Sequence, residues 1–480
     1  MVIRGSPPLP SAPPWAAAPV KRAPRETCGK KTKRDAEPGV ARFLFTTLFS
    51  NDLGLLTRSL PIACELRDRG HHVAFYNPAP APSRLISEAG FDNIPPAWPL
   101  MYVRTGNVSV PRFLRVLGSR HGVRDLGLLW SFTRHMQQSG TPEIWNADHF
   151  AYVNVPDETY ARAEVHDLMD VIRRYRPDAV VDFWNVSACI AARATRTPLI
   201  AVMQAEEHPQ SKGHLWWRDP PDEIPSPTEA LNTILAELGL PEVQRTADLL
   251  VGDLTLVVGM PETDPLPETA DVTYIGAVLW QRPDEKLPDW VADLDTTKPL
   301  VWVYPGNPQY LSFGSRSVFD SSVVTLACIE ALRDEKIQVV LSTGHQPLPS
   351  GALPLPSNFQ HARFVPGLSM AERSDLVIHH GGYGSCQTGL FTGTPALVIP
   401  TYSERESNAR RLAAVGAGDF VLPTTDASGK RKRVDAAEVR EKTGRILSDP
   451  SFAENARRIS EALRTYGGAP YAASLIEHAT

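Results

Sequence analysis

Residues 375–423, DLVIHHGGYGSCQTGLFTGTPALVIPTYSERESNARRLAAVGAGDFVLP, carry the groups best suited to hold an anion. The pattern predicts a short buried strand over 375–378, a glycine-rich turn at Gly381, Gly382, Tyr383 and Gly384, and a helix over 385–391 capped by Ser385. Free backbone N–H groups at a helix start, with the helix dipole behind them, favour negative charge, so a phosphate fits against Gly382, Gly384 and Ser385. His380 immediately precedes the glycines and is the side chain placed to join them, whereas His379 is placed as strand-end packing. The competing readings are an ordinary tight turn for the glycines and a core histidine for His380. Glu404 and Arg405, at a helix start after the next strand, read by charge alone as a solvated cluster.

Such a turn needs a parallel sheet behind it, and the chain supplies two sets of buried strands. ARFLFTTLF, a loop at 50–53, a helix that stops at Gly70 and the strand HHVAFYN make a β-loop-α-β opening, the start of a right-handed parallel sheet. RRYRPDAVVDFWNVSACIAARATRTPLIAV reads as helix end, strand, loop, helix and strand, with Asp182 at the C-terminal end of its strand, where ligands approach open α/β sheets. Between 91 and 150 the pattern loosens. Trp98, Trp130 and Trp145 stand there among prolines and polar residues, as lining for a flat or greasy ligand or as ordinary core aromatics. Residues 209–228 form a proline-punctuated loop in which Trp216 and Trp217 cover a cleft or a domain face. Residues 261–298 read as a linker. LVWVYPGN then opens a second half, a strand running into Gly306 and Asn307, followed by strands in IQVVLSTG and ARFVPG and by amphipathic helices to the end.

The chain has 480 residues, 42 % of them hydrophobic, enough for two sizeable cores. A net charge of −5 argues against a polyanionic partner, so no nucleic acid is expected. Cysteines 28, 64, 189, 328 and 386 have no zinc spacing and no disulfide framework, which suits a reducing cytoplasm. No apolar run reaches the length of a membrane span, and no metal site is expected. Residues 1–39, rich in proline, alanine, lysine and arginine without periodicity, are expected to form a disordered tail.

The order His380-Gly-Gly-x-Gly-Ser385, Leu390-x-x-Gly393-x-Pro395, Pro400, Glu404-Arg405, Asn408-Ala409 and Gly416-x-Gly418 closely resembles the donor-binding signature of GT-B glycosyltransferases of the UDP-glycosyltransferase type, including bacterial enzymes that decorate natural products. The resemblance extends over roughly residues 40–480. It implies an α/β fold of two facing, doubly wound Rossmann-like domains: an acceptor-binding domain at 40–260, the 261–298 linker, a nucleotide-sugar domain at 299–462, and a helix at 463–480 crossing back to the first domain. It also implies that His380 and the Gly382–Ser385 amides hold the donor diphosphate, with Gly306 and Asn307 beside it. Phe364 stands where a tryptophan commonly stacks on the base, Val365 meets the base through its backbone, and Glu404 with Arg405 bonds the sugar. Thr388 replaces a glutamate that bonds the ribose hydroxyls, so a dTDP-sugar stands beside a UDP-sugar as donor.

One departure concerns the base. The histidine that the family uses falls on Leu55, which cannot accept a proton, and the nearest ionisable group is Asp52. Asp52 acts as base, caps the following helix, or does both. Asp182 matches the aspartate that orients the missing histidine; it acts as base itself, positions Asp52, or only caps the next helix. The expected function is an inverting, metal-independent sugar transfer from a UDP- or dTDP-sugar to a hydrophobic small molecule, with no cofactor. The rivals are a catalytically silent nucleotide-sugar-binding auxiliary protein and a nucleotide-sugar epimerase.

Overall fold

The computed structural model describes residues 39–50, 53–98, 100–104, 127, 134, 135, 143–155, 157–282, 284–306, 321–425 and 432–480. The expected tail lies outside them except for Gly39, and so do Asp52, Trp130 and Asn307. The first half runs β1 (Arg42–Thr47), α1 (Gly54–Asp68), β2 (His72–Tyr76), α2 (Pro80–Glu88), β3 (Asp92–Asn93), α3 (Leu100–Arg104), α4 (Ala147–Asn154), α5 (Glu158–Tyr175), β4 (Ala179–Phe183), α6 (Val186–Ala194), β5 (Leu199–Met203), α7 (Thr228–Glu237), β6 (Leu254–Val258) and β7 (Thr273–Gly276). The second runs β8 (Leu300–Tyr304), α8 (Ser321–Leu332), β9 (Gln338–Ser342), β10 (Phe359–Ala362), α9 (Gly367–Arg373), β11 (Leu376–His379), α10 (Tyr383–Thr392), β12 (Ala396–Val398), α11 (Ser403–Ala414), β13 (Gly418–Phe420), α12 (Ala436–Ser448), α13 (Pro450–Arg464) and α14 (Gly468–Ala479).

Seven parallel strands in the order β3-β2-β1-β4-β5-β6-β7 form one sheet, and six in the order β10-β9-β8-β11-β12-β13 form the other. Strands such as AVVDF and LIAVM are buried along their whole length, as a sheet covered on both faces requires. Each sheet reverses its winding once, between β1 and β4 and between β8 and β11, and the crevice for a ligand opens at such a point, beyond the carboxyl ends of the strands. β7 corrects one expectation: Thr273–Gly276, inside the predicted linker, extends the first sheet by pairing with β6. The run VTYIG has the β-branched and aromatic content of an edge strand, which its prolines on either side disguise.

Each sheet carries a hydrophobic layer on both faces, and two of the layers join the halves. α14 returns to the first half, where Ala472, Ala473 and Ile476 enter the layer of Leu56, Leu60 and Ala63 from α1. Arg69 ties it down by donating to Ser474 Oγ, Glu477 Oε2 and the Pro470 carbonyl at 2.7–2.8 Å. No helix among the described residues is long and apolar enough to cross a membrane. Because Ile476 is fully buried, Ile476→Ala is expected to destabilise the protein by about 2–5 kcal/mol, read as a lower urea midpoint with far-UV circular dichroism.

Candidate active site

The glycine-rich turn stands where the second sheet reverses. α10 starts two residues earlier than expected, at Tyr383, with Gly382 and not Ser385 as its N-cap. The Ser385 amide therefore donates to the Gly382 carbonyl at 2.9 Å, as does that of Cys386 at 3.1 Å, and neither is free for a ligand. The amides of Gly382, Tyr383 and Gly384 take part in no hydrogen bond among the described residues. Gly384 is exposed, and a Cβ built there meets nothing within 4 Å, so the helix start faces open space.

His380 lies against this start. A Cβ at Gly382 would stand 2.6 Å from its Nε2, and one at Gly306, whose φ of +93° already favours glycine, would stand 3.0 Å from its ring. Glycine at both positions lets two backbones close around the imidazole. The ring is 9 % exposed. Burial, with Arg405 and His379 adding to it, holds its pKa well below the ordinary value, so it is neutral at physiological pH. Its Nδ1 is buried without a hydrogen bond of ordinary geometry, although the Tyr304 carbonyl acts on the ring. His379 is strand-end packing as expected: its Nδ1 accepts from the Gly381 amide at 3.0 Å, and burial lowers its pKa to about 3.

α11 brings the remaining donor-side candidates. Asn408 donates to the Gly381 carbonyl at 3.0 Å and to Glu404 Oε1 at 2.9 Å, which fixes the helix start to the glycine turn. Arg405 donates to Thr401 Oγ1 at 2.8 Å. Glu404 is half-buried, and burial together with the nearby Glu206 raises its pKa. Phe364 is 41 % exposed and has one face stacked on His345, with centroids 5.1 Å apart and planes 5° from parallel. Val365 is buried in the second-half core, and the Thr388 hydroxyl donates within α10 to the Gly384 carbonyl at 2.8 Å.

On the opposite side, Asp182, expected as a base, as a positioning residue or as a helix cap, is enclosed. It is 2 % exposed; Oδ1 accepts from Thr46 Oγ1 at 2.5 Å, and Oδ2 accepts from the Asn185 amide at 2.8 Å and from Cys189 Sγ at 3.4 Å. Both carboxylate oxygens are thus engaged by the protein's own groups. Asp182 is not the helix cap: Asn185 caps α6 by accepting from the Ala188 amide, and Asp182 holds Asn185. The cap of α1 is Leu53, without a side-chain bond. Trp98 and Trp145 are half-buried, Trp98 tilted against Tyr160 and Trp145 covered by the Arg218 guanidinium.

The strand-end loop after β5 reaches the second half through Glu206, outside the expected site residues, and through Trp216, expected to cover a cleft or a domain face. Glu206, 1 % exposed, accepts from Ser407 Oγ, pairs with Arg411 at 3.3 Å and meets His214 Nδ1 at 2.9 Å. Trp216 Nε1 donates to Ser407 Oγ at 3.0 Å, and the Ile144 amide donates to Ser403 Oγ at 3.0 Å. The Tyr383 side chain crosses in the other direction, donating to the Val258 carbonyl at 2.7 Å and to Asp264 at 3.0 Å, with Arg411 also 3.7 Å from Asp264. Burial alone would raise Glu206, but Arg411, His214 and Ser407 outweigh it and hold its pKa below the usual carboxylate range. Burial pushes Glu207 up to about 7 and Asp264 to about 6. The available signal was the run QAEEH directly after the apolar strand LIAVM, polar groups gathered at a strand's carboxyl end.

Two doubly wound parallel sheets, the second with a free helix start at its switch point, make the fold of the GT-B glycosyltransferases. The curated proteins to which the chain is similar are glycosyltransferases. Residues 325–467 match the family described as "Erythromycin biosynthesis protein CIII-like, C-terminal domain". The chain is 28 % identical over 324 residues to a PGL/p-HBAD biosynthesis glycosyltransferase of Mycobacterium tuberculosis (strain ATCC 25177 / H37Ra), covering 61 % of this chain and 68 % of that protein. It is 28 % identical over 236 residues to the 4'-demethylrebeccamycin synthase of Lentzea aerocolonigenes, covering 49 % and 51 %. Among solved structures, the spinosyn rhamnosyltransferase SpnG complexed with thymidine diphosphate superposes with a TM-score of 0.59 at 19 % identity, over 91 % of this chain and 99 % of that one.

Burial pushes the Asp182 carboxyl up to about 7 from an ordinary 3.8. The folded protein thus binds more protons there than the unfolded chain between pH ~4 and ~7, and stability falls as pH rises through that window, by a few kcal/mol at most on the order-of-magnitude scale of such shifts. In Asp182→Asn the decline between pH 4 and 7 is expected to flatten, measured as urea midpoint against pH.

Proposed function

We propose that the protein moves a sugar from a nucleoside diphosphate sugar, with uridine or thymidine as the base, to a hydroxyl of a hydrophobic small molecule. The observation that carries this is the helix start at 382–384, with its unbonded amides, at the point where the second sheet reverses. The amides and the dipole of α10 stabilise the negative charge that grows on the diphosphate as the glycosidic bond breaks. Because this charge stabilisation is already built in, the reaction proceeds without a divalent cation. Neutral His380 hydrogen-bonds a phosphate oxygen, and Arg405, close enough to depress the His380 pKa, adds positive charge.

Glu404, ordered by Asn408, hydrogen-bonds the sugar hydroxyls, and the open face of Phe364 stacks on the base. The acceptor enters from the first half, past Trp98 and Trp145, and its oxygen attacks the anomeric carbon from the side opposite the diphosphate. That approach inverts the configuration. Thr388, whose hydroxyl is already bonded within α10, makes no demand for a ribose 2′-hydroxyl. The thymidine diphosphate in the SpnG complex supports a deoxyribonucleotide donor beside a uridine one.

Incubation with a panel of UDP- and dTDP-sugars and a panel of polyphenols and polyketides should yield a glycoside and free nucleoside diphosphate, with the turnover unchanged by EDTA. An altered sugar nucleotide without glycoside would mean an epimerase, and donor binding without turnover an auxiliary protein. His380→Ala is expected to lower kcat/KM for the donor by about a hundredfold, followed by release of the diphosphate; unaltered kinetics would remove His380 from the site.

A further inference from the structure

Leucine at position 55 leaves the expected proton acceptor unfilled, and Asp182 is enclosed, yet one imidazole at the junction of the halves is arranged for that work. His214 Nδ1 meets Glu206 Oε2 at 2.9 Å, the geometry that fixes an imidazole with its proton on Nδ1 and its lone pair on Nε2. Nε2 bonds no atom among the described residues, and 7 % of the side-chain surface remains open. The backbone holds the residue in place, the His214 amide donating to the Trp145 carbonyl at 2.8 Å. Gly213 makes this possible: at its φ of +75°, a Cβ would stand 2.5 Å from the same carbonyl.

Glu206 is ionised because Arg411 and Ser407 reach it from α11 of the opposite half. The same helix carries Glu404 one turn before Ser407, and Glu404 and His214 are close enough for each charge to act on the other. The charged and titratable groups around the ring are Glu206 and Glu207 on its own loop, Glu404 on α11, Arg411 through Glu206, and His149 on α4. Their sum favours the imidazolium despite burial, and this stabilises the ring once it has gained a proton.

We infer that His214, oriented by Glu206, is the general base that accepts the acceptor's proton. The inference rests on the sugar-transfer reading above. As the acceptor oxygen bonds to the anomeric carbon, its O–H electron pair forms the new C–O bond and the proton passes to Nε2. The bond from the anomeric carbon to the diphosphate oxygen breaks, and its electron pair leaves with the diphosphate. Nδ1–H stays on Glu206, and the imidazolium returns its proton to solvent after product release. Because Arg411 and Ser407 come from the donor half, the base is complete only while the halves are together.

The test uses the full-length enzyme. His214→Asn keeps an N–H for Glu206 at the Nδ1 position and loses Nε2 alone; His214→Ala makes room for added imidazole. For His214→Asn, unchanged nucleoside diphosphate binding is expected, with transfer to an alkyl alcohol down about a hundredfold or more. The loss on an acidic phenol, whose proton leaves readily, should be much smaller, and imidazole should restore part of the alcohol transfer of His214→Ala. Full alcohol transfer by His214→Asn, equal losses on both acceptors, or absence of imidazole rescue would overturn the assignment. So would Asp52→Asn showing the acceptor-dependent loss in place of His214→Asn. In each of those cases an active wild-type enzyme leaves sugar transfer standing, whereas a wild type that forms no glycoside removes both.

Discussion

A carboxylate sealed between two domains governs how this protein is put together. Glu206 belongs to the first half, and two of the groups that neutralise or bond it, Arg411 and Ser407, belong to the second. Leaving one member of such a buried set without the other costs about 3–5 kcal/mol, because the stranded charge stays away from water. The penalty disfavours partly engaged arrangements: the halves either meet with the whole set formed or part far enough for water to reach it. Asp264, Tyr383 and Arg411 form a second cluster beside the first and share its cation.

Tyr383 links this junction to the start of α10. Its backbone N–H is among the free amides of α10, while its hydroxyl is anchored under β6 of the first half. The helix start therefore takes its position from both sheets. Gly381 contributes from the other side, since a Cβ there would stand 2.8 Å from the Arg405 carbonyl. Its absence lets α11 approach the turn, and Asn408 closes the remaining distance. The glycine turn, Glu404 and the domain junction are thus built from adjacent residues of the same two elements, α10 and α11.

How much of this the sequence disclosed follows from where the information lies. The turn at 381–384, Gly306 and the buried strands are local patterns, in which a residue type and its neighbours are enough. Residue type places the helix start two residues late, because Ser385 is a good cap by type, yet Gly382 already provides the geometry of a helix start. Asp182 was visible as a lone charge in an apolar strand, but its partners Thr46 and Cys189 come from other elements, and only the register of β1 against β4 brings the first of them near. Glu206, His214 and Arg411 are 8 to 205 residues apart in the chain and meet through the docking of two sheets, which no periodicity encodes. Proline after His208 disguised the segment as a plain loop.

The final helix belongs by contact to the opposite end of the chain. α14 follows the second sheet in sequence but completes a face of α1, with Arg69 and His71 both held by Glu477. Module boundaries in sequence and in space therefore disagree by those last residues. A hybrid made by exchanging everything after β7 with a relative would import a foreign helix against α1, whereas one that returns 468–480 to its native partner preserves that surface. Recombination that respects the strands alone cuts the molecule in the wrong place.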